Sequence, residues 1–129
     1  MVRVDQRIRE FFDAWLARDL DAATALFTPD VMFHQPPDAL EGGDREGIDA
    51  MRAVLEGLLY QFEYEAIDIH EVVVGPRGTL ARFTARGRGR LSGVPIEQEI
   101  THVYEFRNGL ISRLAWFFTR DEGAERAGL

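Results

Sequence analysis

The sequence contains no cysteine. Disulfides, thiolate nucleophiles and cysteine-ligated zinc are therefore outside its chemistry. It contains no lysine either: all fifteen basic residues are arginine, which reads as coding bias before function. Long hydrophobic runs are missing, with nothing near the roughly 18 apolar residues of a membrane span. The opening Met1-Val2-Arg3-Val4-Asp5 lacks the apolar run of a signal peptide. Positive charge is in deficit. The formal net charge of −7 argues against nucleic acid, because phosphate binding wants a basic surface. The expectation is a cytoplasmic, soluble protein with neither nucleic-acid nor membrane partner.

What is present is globular material: 46% of the 129 residues are hydrophobic and 29% charged. That is the size of one domain, residues 1–129, with enough bulk for a core and one modest cavity. The first half reads as helices. Val4, Ile8, Phe11, Phe12, Trp15 and Leu16 recur at helical spacing. Asp19 offers a cap for a second helix reaching Leu26-Phe27, ended before Pro29, and Val31 to Gln35 is a short strand stopped by Pro36-Pro37. Gly42-Gly43-Asp44 supplies a turn and an N-cap for a third helix, marked by Ile48, Met51, Leu55, Leu58, Leu59 and Phe62.

The second half reads as strands: Phe62 to Val74, Thr79 to Leu91, Ile96 to Phe106, and about Leu110 to Thr119, followed by a polar tail. The fold class is α+β, helices first and then a meander. Asn108-Gly109 is a strong type I′ hairpin signal, because that turn needs positive φ at both central residues. A simple two-residue turn places Val103 opposite Leu114, Thr101 opposite Trp116 and Glu99 opposite Phe118, all on one face. The other face then carries Ile100, His102, Tyr104 and Phe106 beside Ile111, Arg113, Ala115 and Phe117. Both faces are partly apolar, so both must be buried, one by the helices and one by a partner subunit.

Glu99 is the candidate acid on the first face, since poor solvation among Trp116, Phe118 and Val103 favours its protonated form. Exposure, or pairing with an arginine, is the competing reading. A two-residue turn at Ser92-Gly93 puts Arg86 opposite Glu99. A three-residue turn joins Phe83 and Ala85 to Glu99 and sends Arg82, Arg86 and Arg88 the other way; that register is preferred. His34, His70 and His102 are isolated, with structural or interface roles for the last two, and His34 is held as a reserve base. No metal or cofactor is called for.

The order of Phe11-Phe12-Asp13-Ala14-Trp15, Arg18-Asp19-Leu20-Asp21, Ala25 to Val31, Gly42-Gly43, Val103-Tyr104-Glu105-Phe106, Asn108 to Ile111, Trp116-Phe117-Phe118 and the Arg120 to Leu129 ending resembles the nuclear-transport-factor-like superfold, SnoaL-like branch. The resemblance implies three helices in a strongly curved mixed sheet, a cone-shaped apolar pocket, and a homodimer through the outer sheet face at Ile100, His102, Tyr104 and Phe117. It also implies a small hydrophobic ligand handled without metal or cofactor. Carried over residue by residue, the isomerase-like aspartate falls on Gln35, the oxyanion tyrosine on Phe11 and the oxyanion acid on Glu99. The epoxide-hydrolase Arg–Asp pair falls on Phe83 and Ala85, and its second aspartate on Trp116. Neither chemistry is intact. The leading expectation is a small-molecule protein of cyclase or isomerase type, with Glu99 as acid or base and Gln35 orienting the substrate. Its pocket would be lined by Phe11, Trp15, Phe33, Phe62, Phe83, Thr101, Leu114, Trp116 and Phe118. A non-catalytic binding protein or a filled dimerisation domain are the alternatives.

Overall fold

The computed structural model describes residues 3–39 and 43–129. Helix α1 spans Val4–Leu16 and presents Ile8, Phe11, Phe12 and Trp15 to the interior, as its apolar spacing demands. Its exit is a tight reversal in which Arg18 takes a positive φ of 58°. The Arg18 guanidinium donates to the carbonyl oxygens of Leu59 (2.7 Å) and Phe62 (3.4 Å), tying this turn to the C-terminal end of a later helix. Asp19 caps α2 (Leu20–Thr24) by accepting from the Ala22 amide.

Helix α2 is shorter than its sequence suggests. The chain leaves it at Ala25 and Phe27 already begins β1 (Phe27–Gln35), which carries Pro29 through an irregular stretch between Phe27 and Met32. A proline is tolerated there because the regular ladder is interrupted. The segment expected to turn and cap the third helix is instead an edge strand, β2 (Gly43–Glu46), antiparallel to β1. Asp44 sits opposite His34, and the capping position of α3 (Ile48–Gln61) belongs to Gly47. Gly42, the other half of the predicted turn, lies outside the described residues.

Four long strands follow: β3 (Phe62–Gly75), β4 (Gly78–Gly89), β5 (Pro95–Arg107) and β6 (Leu110–Phe117). The sheet order is β2-β1-β6-β5-β4-β3, antiparallel except for the parallel β1–β6 pair. The fold is thus α+β with a mixed six-stranded sheet. Helices α1 to α3 pack with the inner face of that sheet into the main core.

Two registers decide which side chains reach that core. Asn108-Gly109 forms the expected turn, with φ of 53° and 78°, and Arg107 pairs with Leu110. Ser112 is then left without a partner: Phe106 pairs with Ile111, but Glu105 pairs with Arg113. This bulge moves β5 by one residue against β6, so His102 faces Trp116 and Tyr104 faces Leu114. Because side chains alternate with a period of two, the extra residue puts Ile111 and Leu114 on the same face of β6, and the β5 residues that share the face of Leu114 and Trp116 become Tyr104 and His102. Ile100, His102 and Tyr104, expected outside, point inward, while Glu99, Thr101 and Val103 point outward.

The β4–β5 connection is neither of the expected turns. Residues 90–93 form a four-residue loop closed by the Gly89 amide on the Val94 carbonyl at 2.9 Å. An even loop keeps Arg82, Arg86 and Arg88 on the face of Glu97 and Glu99, so the preferred three-residue register is overturned. Glu99 ends as the partner of Arg82, 2.8 Å away and largely in solvent.

The residues after β6, read as a polar tail, form α4 (Arg120–Ala127). Thr119 accepts from the Glu122 amide and donates to the Glu122 carboxylate, a reciprocal N-cap. Gly128 closes the helix in the left-handed conformation. Ala124 and Ala127 cover Leu80, Val103, Ala115 and Phe117 on the outer face. The apolar part of that face is therefore buried by the chain itself. Three of the four residues named for a dimer surface look inward, and the fourth, Phe117, lies under α4.

Candidate functional site

Between the helices and the sheet remains a cavity of about 140 Å³. Helix α1 contributes Phe11, Phe12 and Trp15, and α3 contributes Leu55 and Leu58. From β1 come Phe33 and Gln35, from β6 Leu114 and Trp116, and from β3 Phe62, Tyr64 and Ile67. Strands β4 and β5 close it with Phe83, Ala85, Gln98, Ile100 and His102. The walls are mostly rings at edge-on or tilted angles: Phe12 to Phe83 at 4.7 Å, Trp15 to Tyr64 at 5.4 Å, and Phe83 to His102 at 4.7 Å.

Few polar atoms face this space. The Trp116 indole N–H donates to Gln35 Oε1 at 3.3 Å, which holds the amide of a buried glutamine in place. His102 Nδ1 lies 2.7 Å from the hydroxyl of Tyr104, a side chain with no solvent exposure. Burial pushes the His102 imidazole down to about 3, so it is neutral at ordinary pH. The same cause pushes the Tyr64 phenol up to about 12 and Tyr104 well above its usual value. Among the described residues no aspartate, glutamate or arginine lines the cavity. No group of three or more His, Asp or Glu that could hold a metal ion occurs among them either.

The predicted site residues divide cleanly. Phe11, Trp15, Phe33, Gln35, Phe62, Phe83, Leu114 and Trp116 come together around the cavity. Glu99, Thr101 and Phe118 do not. Glu99 is on the charged outer ladder, Thr101 is buried beneath α4, where it closely approaches Gly123, and Phe118 lies beyond β6, 44% exposed. His34 points away from Gln35, with Nδ1 2.5 Å from Asp44 and its ring 5.7 Å from Phe117. Sequence reasoning missed His102 as a cavity residue. The signal that would have found it is the β6 bulge, which no local residue pattern announces.

The SnoaL-like domain family matches residues 8–114. The chain belongs to the SnoaL-like family. Solved structures place the fold in the same company. A candidate isomerase from Bacillus subtilis is 24% identical, with 95% of this chain and 91% of that one covered and a TM-score of 0.79. An NTF2-like protein of unknown function from Burkholderia pseudomallei is 22% identical, with 96% of each chain covered and a TM-score of 0.76. A candidate polyketide cyclase from Sinorhizobium meliloti is 25% identical, covering 87% of this chain and 94% of that one, with a TM-score of 0.67. No curated protein matches the sequence.

This SnoaL-like domain keeps no carboxylate where the expected chemistry wanted one. Gln35 is an amide in the cavity wall, and Glu99 is outside it. What the cavity offers instead is a neutral imidazole set into aromatic walls.

Proposed function

We propose that this SnoaL-like domain binds one small, largely apolar molecule in the cavity between α1, α3 and the sheet. The observation that carries the reading is the wall itself: nine aromatic or imidazole rings enclose the space, with no charged side chain among the described lining residues. Its volume indicates the size of ligand. An engineered apolar cavity of about 150 Å³ holds benzene, whereas sites for drug-sized ligands start near 300 Å³. A single ring or its aliphatic equivalent fits the 140 Å³ present here. A large steroid- or polyketide-like skeleton would require the walls to open. General-base catalysis by a carboxylate has no residue to carry it inside the described cavity, which favours binding over the carboxylate-based isomerase reading.

The chain's two tryptophans, Trp15 and Trp116, both line the cavity, so its occupancy has a built-in reporter. Toluene titrated against their fluorescence should give a saturable change. Ala85→Leu, which inserts bulk into the cavity from β4, should abolish that change while the protein stays folded by circular dichroism. No saturable response, or one that survives Ala85→Leu undiminished, would sink the proposal.

A further inference from the structure

The hydrogen bond between His102 and Tyr104 fixes more than the orientation of a ring. Tyr104 is completely buried, and its hydroxyl has one partner among the described residues, His102 Nδ1 at 2.7 Å. Two proton arrangements satisfy that distance. If Nδ1 carries the proton and donates, the tyrosine O–H is left with no acceptor among the described residues, at the full desolvation cost of a buried donor. If the tyrosine O–H donates to Nδ1, that donor is satisfied and the proton of the neutral imidazole must sit on Nε2. The second arrangement moves the unpartnered donor from Tyr104, which has no solvent exposure, to a side chain that lines the cavity, where a bound molecule can supply the acceptor.

Nε2 has no hydrogen-bond partner among the described residues, and the His102 side chain lines the cavity. We propose that Tyr104 locks His102 as the Nε2–H tautomer, so that the cavity presents a neutral hydrogen-bond donor and selects small cyclic ligands bearing a carbonyl or similar uncharged acceptor oxygen. This rests on the binding reading above and adds the ligand's chemical class. The groups facing the imidazole are the rings of Phe12 and Phe83 and the Tyr104 hydroxyl, and among the described residues no cation or carboxylate lines the cavity to compete for Nε2. Burial keeps the ring unprotonated through the physiological range, so the donor is a neutral N–H that does not attract anions. A neutral donor in an apolar cavity strengthens as negative charge builds on a carbonyl oxygen, the requirement for stabilising an enolate. Tyr104 does not line the cavity; it acts through His102 and is a positioning residue.

The first test needs no ligand. Long-range proton–nitrogen correlation NMR on ¹⁵N-histidine-labelled protein at pH 7 should show His102 protonated at Nε2 and bare at Nδ1, and Tyr104→Phe should lose that pure pattern. The second test compares cyclohexanone with methylenecyclohexane, which has nearly the same shape but no acceptor, in amide-shift titrations. Cyclohexanone should bind about three- to tenfold more tightly, the range one net hydrogen bond supplies. His102→Phe should bring the ratio near one, and Tyr104→Phe should reduce it. An Nδ1–H tautomer, or equal binding of the two probes by the native protein, overturns this inference alone. Binding of neither probe overturns the reading on which it rests, and the proposed ligand class with it.

Discussion

A histidine titrates according to its surroundings, and His102 is surrounded by Phe12, Phe83 and the Tyr104 hydroxyl. Its folded value of about 3 lies below the 6.5 of an unrestrained histidine, so the unfolded chain takes up a proton that the folded chain refuses. Stability is therefore full above pH 6.5 and declines as pH falls toward 3, by about 1 kcal/mol per pH unit. Between pH 6.5 and 5, ordinary carboxylates contribute little, so urea unfolding of the native protein beside a His102 variant in that window isolates the effect. His102→Gln should flatten the slope by that amount relative to the native protein. An unchanged slope would mean that His102 is not held neutral by burial. Gln35 makes a second prediction at this scale. Gln35→Leu strands the Trp116 indole N–H beside an apolar wall, which should cost about 1–2 kcal/mol and shift the tryptophan emission.

At the scale of elements, α4 carries its signal in cap spacing rather than in hydropathy. Thr119 and Glu122 stand three apart and Gly128 follows nine residues after Thr119, the spacing of a capped helix with a glycine stop. Hydropathy hid it, because this short helix buries only small residues. Its docking depends on one of them. A methyl group on Gly123 would meet Thr101 Cγ2 at 2.4 Å, and Thr101 is itself fully buried and β-branched. Gly123→Ala should therefore lift α4 from the sheet and destabilise the protein by about 1–3 kcal/mol, despite alanine's better helix propensity. Thermal unfolding of that variant beside Gly57→Ala in α3, where the added carbon meets open space, separates crowding from propensity. The β6 bulge teaches the opposite lesson. The turn chemistry of Asn108-Gly109 is readable, but Ser112, bulged out at the third residue of β6, changes which β5 side chains share the face of Leu114 and Trp116.

For the whole molecule, the two faces of one sheet have been given different tasks. The inner face packs against α1 to α3 and leaves a cavity. The outer face is divided between the apolar patch under α4 and a ladder of arginines against acids, in which Arg82 meets Glu71 and Glu99, Arg86 meets Asp68 and Glu97, and Arg120 meets Glu71 at 2.5 Å. Glu71 is held below the usual carboxylate range, first by Arg120 and then by Arg82 against an opposing effect of burial, and it pins the start of α4 to β3 and β4. Except for the part-buried Arg82–Glu71 pair, these partners are exposed enough that each pair contributes little to stability. The cavity is the larger lever. Ala85→Leu should raise the urea midpoint by about 0.5–1 kcal/mol equivalent while removing toluene binding, the exchange of function for packing expected when a ligand site is filled. A variant that loses stability as well would indicate that the walls cannot accommodate the added bulk.

The sequence by itself determined the α+β class, the core stripe of α1, the type I′ turn, the four long strands and eight of the rings and side chains that surround the cavity. Each of these follows from local chemistry: apolar period, positive-φ residues, and the side-chain types that tolerate a strand. Tertiary structure decided that Glu99 lies outside and His102 inside, because strand facing depends on pairing register, and the register was set by a bulge and a four-residue loop between elements distant in sequence. It also decided what covers the outer apolar surface. Hydrophobicity requires that such a surface be buried, and only the path of the chain determines that α4 buries it.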